Sequence, residues 1–206
     1  MTNRNPASEA DSGADSGAGP EAPSKAPPKV DLTPWQLARM LPAKGRIMGL
    51  DVGTKTVGIA VSDELRRVAT PIELIRRTKF RVDAARMAEI VRERGVVAVV
   101  LGLPVNMDGT EGPRCQSIRQ FRENLVQFLT ADGIDLPMMF WDERWSTAAV
   151  QRYMIDADMS RKRRAELVDK AAAGYILDGA LDAMNRPPPI WAREEEEDAG
   201  EPADER

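Results

Sequence analysis

The sequence predicts an α/β fold: one domain built on a five-stranded mixed sheet flanked by helices, with disordered tails outside it. Three observations lead there. Five apolar or β-branched runs of strand length lie between residues 46 and 141. Each of the last two runs follows a segment with helical spacing, the pattern of crossovers between parallel strands. Residues 1–30 are rich in Ala, Ser, Gly, Pro and Glu. They hold almost no large apolar side chain to offset the entropy of ordering.

The elements follow in order. Residues 31–42 (DLTPWQLARMLP) form a short amphipathic lead-in expected to dock on the domain. Arg46–Val52 reads as a strand, Gly53-Thr54-Lys55 as a turn and Thr56–Ser62 as the returning strand of a hairpin. Thr70–Arg76 completes an antiparallel meander. Ala84, Met87, Ala88 and Val91 give Asp83–Arg94 a helical face, with a stop at Gly95. Val96–Leu103 is a nearly unbroken apolar run, as expected of a strand covered on both faces. Pro113–Thr130 is helical, with Ile118, Phe121 and Leu125 on one side, and Pro137–Trp141 is a buried strand. Helices over Thr147–Asp156 and Arg161–Met184 close the domain. The expected boundaries are therefore a mostly disordered extension over 1–42, a folded domain over 43–186 and an acidic tail over 187–206.

Composition removes whole classes of chemistry. Among 206 residues there is no histidine and one cysteine, Cys115. Ser-His-Asp and Cys-His catalysis, His-ligated metals, intrachain disulfides and Cys-rich zinc sites are all excluded. What remains is chemistry on carboxylates, hydroxyls, amines and hard cations. The formal net charge of −4 describes the tails more than the domain. Residues 187–206 contribute −6, from eight acids against two arginines, whereas 43–186 carry 23 bases against 20 acids. That mild positive balance suits a nucleic-acid partner. No signal-peptide pattern is present, and no apolar run nears the roughly 20 residues that span a bilayer. The expected location is the cytoplasm, with no membrane partner.

Ligand sites on open parallel sheets form beyond the carboxyl ends of the strands. Three segments of this chain should meet there: Asp51 at the end of the first strand, the loop Gly102–Gly109 after the fourth, and Asp142-Glu143-Arg144 after the fifth. Asp51 sits in a run of Ile, Met, Leu and Val, where an uncompensated carboxylate is costly. A hard cation bound by Asp51 and Glu143 would compensate it. For a third acid the last helix offers Asp169, Asp178 and Asp182. Asp169 and Asp178 lie nine residues apart, about half a rotation out of phase. Asp169 shares its stripe with Ala165, Ala172, Ala173, Ile176 and Ala180, a face able to approach the sheet closely, and is the better candidate. Lys55 in the hairpin turn, Arg114 at the start of a helix whose N-terminus favours anions, Arg144, and the run Arg161-Lys162-Arg163-Arg164 supply cations for phosphates. In that run four cations oppose the helix dipole, which an anionic partner would explain.

Four blocks carry a resemblance. They are Gly49–Asp63 (GLDVGTKTVGIAVSD), Gly102-Leu103-Pro104 with Asn106–Arg114 (NMDGTEGPR), Asp142-Glu143-Arg144 with Ser146-Thr147, and Val168–Ala173 (VDKAAA) with Ile176-Leu177. In this order and spacing they resemble the pre-16S rRNA nuclease family (the YqgF group) of the ribonuclease H-like superfamily, similar to Holliday junction resolvases. Trp145 departs from the smaller residue usual there. The resemblance implies a ribonuclease H-like sheet and a hydrolase that cuts phosphodiester bonds at the 5′ end of precursor 16S rRNA. It implies Asp51, Glu143 and Asp169 as catalytic ligands of Mg²⁺ or Mn²⁺, and the ribosomal small-subunit precursor as a partner. The alternatives are a resolvase acting on branched DNA and a non-catalytic RNA-binding assembly factor.

Overall fold

The computed structural model describes residues 31–145 and 161–187, the side chains of 145 and 161–170 excepted. The expected helix at Thr147–Asp156 and both terminal tails lie outside the described residues. In chain order the elements are α1 (Pro34–Met40), β1 (Arg46–Val52), β2 (Thr56–Ser62), β3 (Ala69–Arg76), α2 (Phe80–Arg94), β4 (Val96–Leu103), α3 (Pro113–Ala131), β5 (Met138–Asp142), a single 3-10 turn (Glu143–Trp145) and α4 (Arg161–Asn185).

The sheet order is β3-β2-β1-β4-β5. The meander β1-β2-β3 is antiparallel, and β4 and β5 run parallel to β1. The carboxyl ends of β1, β3, β4 and β5 therefore share one edge. Alternation along each strand feeds two cores. Met48, Leu50, Val99 and Leu101 pack with α2 and α3, while Ile47, Val100 and Met139 pack with α1 and α4.

The lead-in docks as its pattern predicts. Thr33 caps α1: its hydroxyl accepts from Gln36 N, and the Gln36 side chain accepts from Thr33 N at 2.9 Å. This reciprocal capping, with Pro34 at the first helical position, fixes the start of a seven-residue helix. Leu37 is fully buried in the α4-side core. Just before the helix, Asp31 pairs with Arg119 at 2.7 Å and Arg122 at 3.2 Å. Both guanidinium groups lie over the Phe140 ring of β5, at 4.8 and 4.6 Å from its centroid. The outer strand is thus covered on that face by cations whose charge is already matched.

Helix α2 starts at Phe80, three residues before its expected start at Asp83. Asp83 lies inside the first turn, 3% exposed, and accepts hydrogen bonds from Thr78 N and Oγ1 at 3.4 Å. The helix ends at Gly95, as expected, in a left-handed conformation. Strand β5 runs one residue further than its apolar pattern, to Asp142. Among the described residues no helix is long and apolar enough to cross a membrane.

Candidate active site

Alternation on β1 sets the site. Ile47, Gly49 and Asp51 face α4, because neighbouring side chains on a strand point to opposite sides. At Gly49 a Cβ would stand 2.7 Å from Leu177 Cβ and 3.1 Å from the Ala173 carbonyl oxygen, so α4 rests on β1 itself. Asp51 is half-buried two residues further on, opposite Gly58 of β2. On the other side, the register pairs Leu50 with Leu101, which sets Asp51 beside Gly102.

Gly102 is the seat of Glu143. A Cβ there would stand 2.6 Å from Glu143 Oε1 and 2.5 Å from Ile176 Cδ1. Its missing side chain opens the space in which the carboxylate from the end of β5 lies over β4, on the side of Asp51. The electrostatics record the crowding. The Glu143 carboxyl is pushed up from an ordinary value of 4.5 to about 7, first by burial, then by the negative charge of Asp51, with Asp142 adding to it and Arg114 opposing. Two acids distant in sequence share one half-buried place, as the strand-end argument expects.

For Asp169 only the backbone position can be followed. The C-terminal part of α4 lies at the opposite edge of the sheet: Asp178 accepts from Ala69 N at the start of β3 at 2.8 Å, and Asn185 Nδ2 donates to Arg66 O in the β2–β3 turn. The helix therefore enters from the edge that carries Asp51. Asp169 lies one turn before Ala173, about 6 Å along the axis. Asp51 lies two residues beyond Gly49, about 6.6 Å along the strand. Both steps run the same way, so the backbone of Asp169 lies about level with Asp51 along the sheet. The side chains of Asp169 and of Arg161, Lys162, Arg163 and Arg164 lie outside the described residues. Among the described residues no three ligand side chains converge. Asp178 serves β3 instead, and burial raises its carboxyl pKa.

The cations divide. Arg114 acts on Glu143 and so stands by the site. Lys55 is exposed in the hairpin turn. Arg144 is bound to Asp142, donating from N, Nε and Nη2 at 2.6 to 3.1 Å. Much of its charge is matched within the chain. Arg119 and Arg122, which add positive charge to α3 in the sequence, are matched by Glu111 and Asp31. The loop after β4 is braced internally. Asp108 accepts from Thr110 N and Oγ1, which holds its carboxyl below the ordinary range, and Asn106 N and Nδ2 donate to Thr110 O and Oγ1. Helix α3 then begins at Pro113, with Gly112 as an N-cap that offers no side chain, its N–H groups turned toward the same edge. Cys115 is buried and donates to Pro104 O, and burial pushes its thiol pKa up.

Motif reading does not single out Arg76-Arg77-Thr78-Lys79-Phe80-Arg81, although four cations in six residues is a visible signal. The structure ties this segment to the hairpin turn: Arg77 N donates to Lys55 O at 2.9 Å, and Arg77 Nη1 donates to Gly53 O at 2.6 Å.

Comparisons with known proteins give named relatives. A relative in Cereibacter sphaeroides, named "Putative pre-16S rRNA nuclease", is 59% identical over 145 residues, covering 70% of this chain and 88% of the relative. One of the same name in Rhodospirillum centenum is 57% identical over 151 residues, covering 73% and 80%. Among solved structures, Thermus thermophilus RuvC in complex with a Holliday junction substrate is 13% identical with a TM-score of 0.44, covering 68% of this chain and 96% of that one. The family model RuvX, described as Holliday junction resolvase, matches residues 45–183. That match runs from the foot of β1 into the last turns of α4 and takes in each segment that brings an acid to the sheet edge, so the chain belongs to the RuvX family.

Proposed function

We propose that this chain is a divalent-metal-dependent nuclease of the cytoplasm that trims the 5′ end of precursor 16S rRNA. One observation carries the chemistry: Glu143 and Asp51 share a half-buried place in which their charges oppose each other, so that Glu143 titrates near pH 7. Two such carboxylates fit a hard cation better than they fit each other. Asp51, Glu143 and Asp169 would hold it. A bound Mg²⁺ or Mn²⁺ would supply charge for activating water and for stabilising the leaving oxygen.

The protein's own residues do the rest. Without a cation, the raised Glu143 pKa favours its protonated form, which limits the repulsion that Asp51 has to bear. Arg114 and Lys55 place the phosphate backbone beside the acids, and Arg161, Lys162, Arg163 and Arg164 extend the cationic surface along the entry of α4. Arg144, held by Asp142, steadies the turn that carries Glu143. Such contacts position a strand without reading its sequence. The names of the relatives support precursor 16S rRNA as the substrate, and by extension the ribosomal small-subunit precursor as a partner.

The family description supports a second reading, a resolvase on branched DNA. Purified protein incubated with an end-labelled 16S leader RNA or a four-way DNA junction, in Mg²⁺, Mn²⁺ or EDTA, separates them. The expected result is metal-dependent cutting of the leader that Asp51→Asn abolishes. Cutting of the junction alone favours the resolvase. Tight RNA binding with no cutting of either favours a non-catalytic assembly factor.

A further inference from the structure

Many cations on the described surface are matched within the chain. Arg46, Arg86, Arg92, Arg119, Arg122, Arg144 and Arg186 each lie within ion-pair distance of a carboxylate. Lys55, Lys79 and Arg81 make no ion pair among the described residues, and all three side chains are exposed. Lys44, Arg67 and Arg94 are also exposed without an ion pair among the described residues, at the opposite sheet edge, whereas Lys55, Lys79 and Arg81 stand together. Lys79 and Arg81 stand where β3 gives way to α2, on the same sheet edge as Asp51, and the hydrogen bonds from Arg77 hold their segment against the turn that carries Lys55. Asp83 is the nearby acid, and its carboxylate is turned inward to Thr78. Chain ordering here leaves the positive groups outward and the negative one buried.

Beside Lys79, the wall of an open cleft of about 440 Å³ includes Phe80, Arg81 and Phe128, together with Asp132, whose charge is matched by Arg92. Exposed cations next to aromatic faces are the usual surface for an unpaired strand, whose phosphates take the charges and whose bases take the rings.

We propose that Lys79 and Arg81, continuing from Lys55, form a phosphate track along which a single nucleic-acid strand leaves the Asp51–Glu143 centre on the β3 side. This rests on the nuclease reading and extends it. Strand β3 lies two strand spacings from β1, about 10 Å. The enzyme then requires a substrate that continues on this side of the cut as an unpaired strand.

The test uses the full chain, a single-stranded oligouridylate RNA and EDTA to prevent cutting. Affinity is measured over a salt series for the wild type, for Lys79→Gln with Arg81→Gln, and for a control with the same charge change at the opposite sheet edge, Lys44→Gln with Arg67→Gln. Each phosphate contact on a single strand contributes about 0.7 to the slope of log K against log salt. The first variant should lose about 1.4 from that slope and bind roughly 25-fold more weakly near 0.1 M salt. The control should keep the wild-type slope, and all three should melt together because the altered side chains are exposed. Equal losses in both variants, or none in the first while the wild type binds, overturn the track and leave the nuclease reading standing. A wild type that binds no RNA and cuts no nucleic acid removes both.

Discussion

Replacing Glu143 with Gln should stabilise the metal-free protein at pH 8 and remove most of its pH dependence between pH 5 and 8. Folding raises the Glu143 pKa from 4.5 to about 7. Between those values the folded protein keeps a proton that the unfolded chain has released. The stability associated with that proton is complete below pH 4.5 and is lost as pH rises through 7. The full difference corresponds to about 3 kcal/mol by linkage. Partial solvent access at the site screens this to roughly 2 kcal/mol. For a domain of this size that is a melting shift of about 4–8 °C. Thermal melts in EDTA from pH 5 to 8 read it directly, and the difference between wild type and variant isolates Glu143 from the other acids. Mn²⁺ should then restore stability to the wild type at pH 8 and do little for Glu143→Gln, which should also have lost cleavage. A wild type with a flat profile, or a variant that runs parallel to it, would refute the account of how Asp51 and burial act on this carboxyl.

Other expectations follow from contacts already described. Gly102→Ala places a methyl against Glu143 and Ile176, so it should cost about 1–3 kcal/mol by overpacking and abolish cleavage, read by melting and by turnover of the leader RNA. Asp169→Asn should remove activity with little loss of fold. Asp178→Ala should cost about 1–2 kcal/mol through the lost bond to Ala69 N and keep its activity per folded molecule. Leu37→Ala should cost about 2–5 kcal/mol, whereas removing residues 1–30 should leave the melting temperature unchanged.

What the sequence discloses depends on range. The hairpin, the doubly covered β4 and the phase of α4 are written in local periodicity, and each has its counterpart in the fold. The strand-end rule then brings Asp51 and Glu143 together without any measured distance. The start of α2 is misread for a local reason. The helical apolar spacing begins at Ala84, but the Asp83 carboxylate reaches back to Thr78 from within a first turn that already started at Phe80. Long-range contacts are another matter. Asp31 pairs with Arg119 and Arg122 across 88 and 91 positions, and no periodicity announces that. The pairing nevertheless decides which arginines of α3 remain open to phosphate. The seat of Glu143 over Gly102 is equally silent, since a glycine near a strand end reads as a turn signal.

The contact of α4 with the sheet also has a genetic consequence. Gly49 and Gly102 lie under the helix on adjacent strands, and at either one the first added carbon meets α4 or a side chain it carries. In a library that samples every substitution under selection for a working enzyme, those codons should tolerate almost no replacement, alanine included, while exposed positions on the same strands and helix drift freely. Two intolerant glycines beside three intolerant acids would mark, from sequencing counts alone, where one element of the protein lies down upon another.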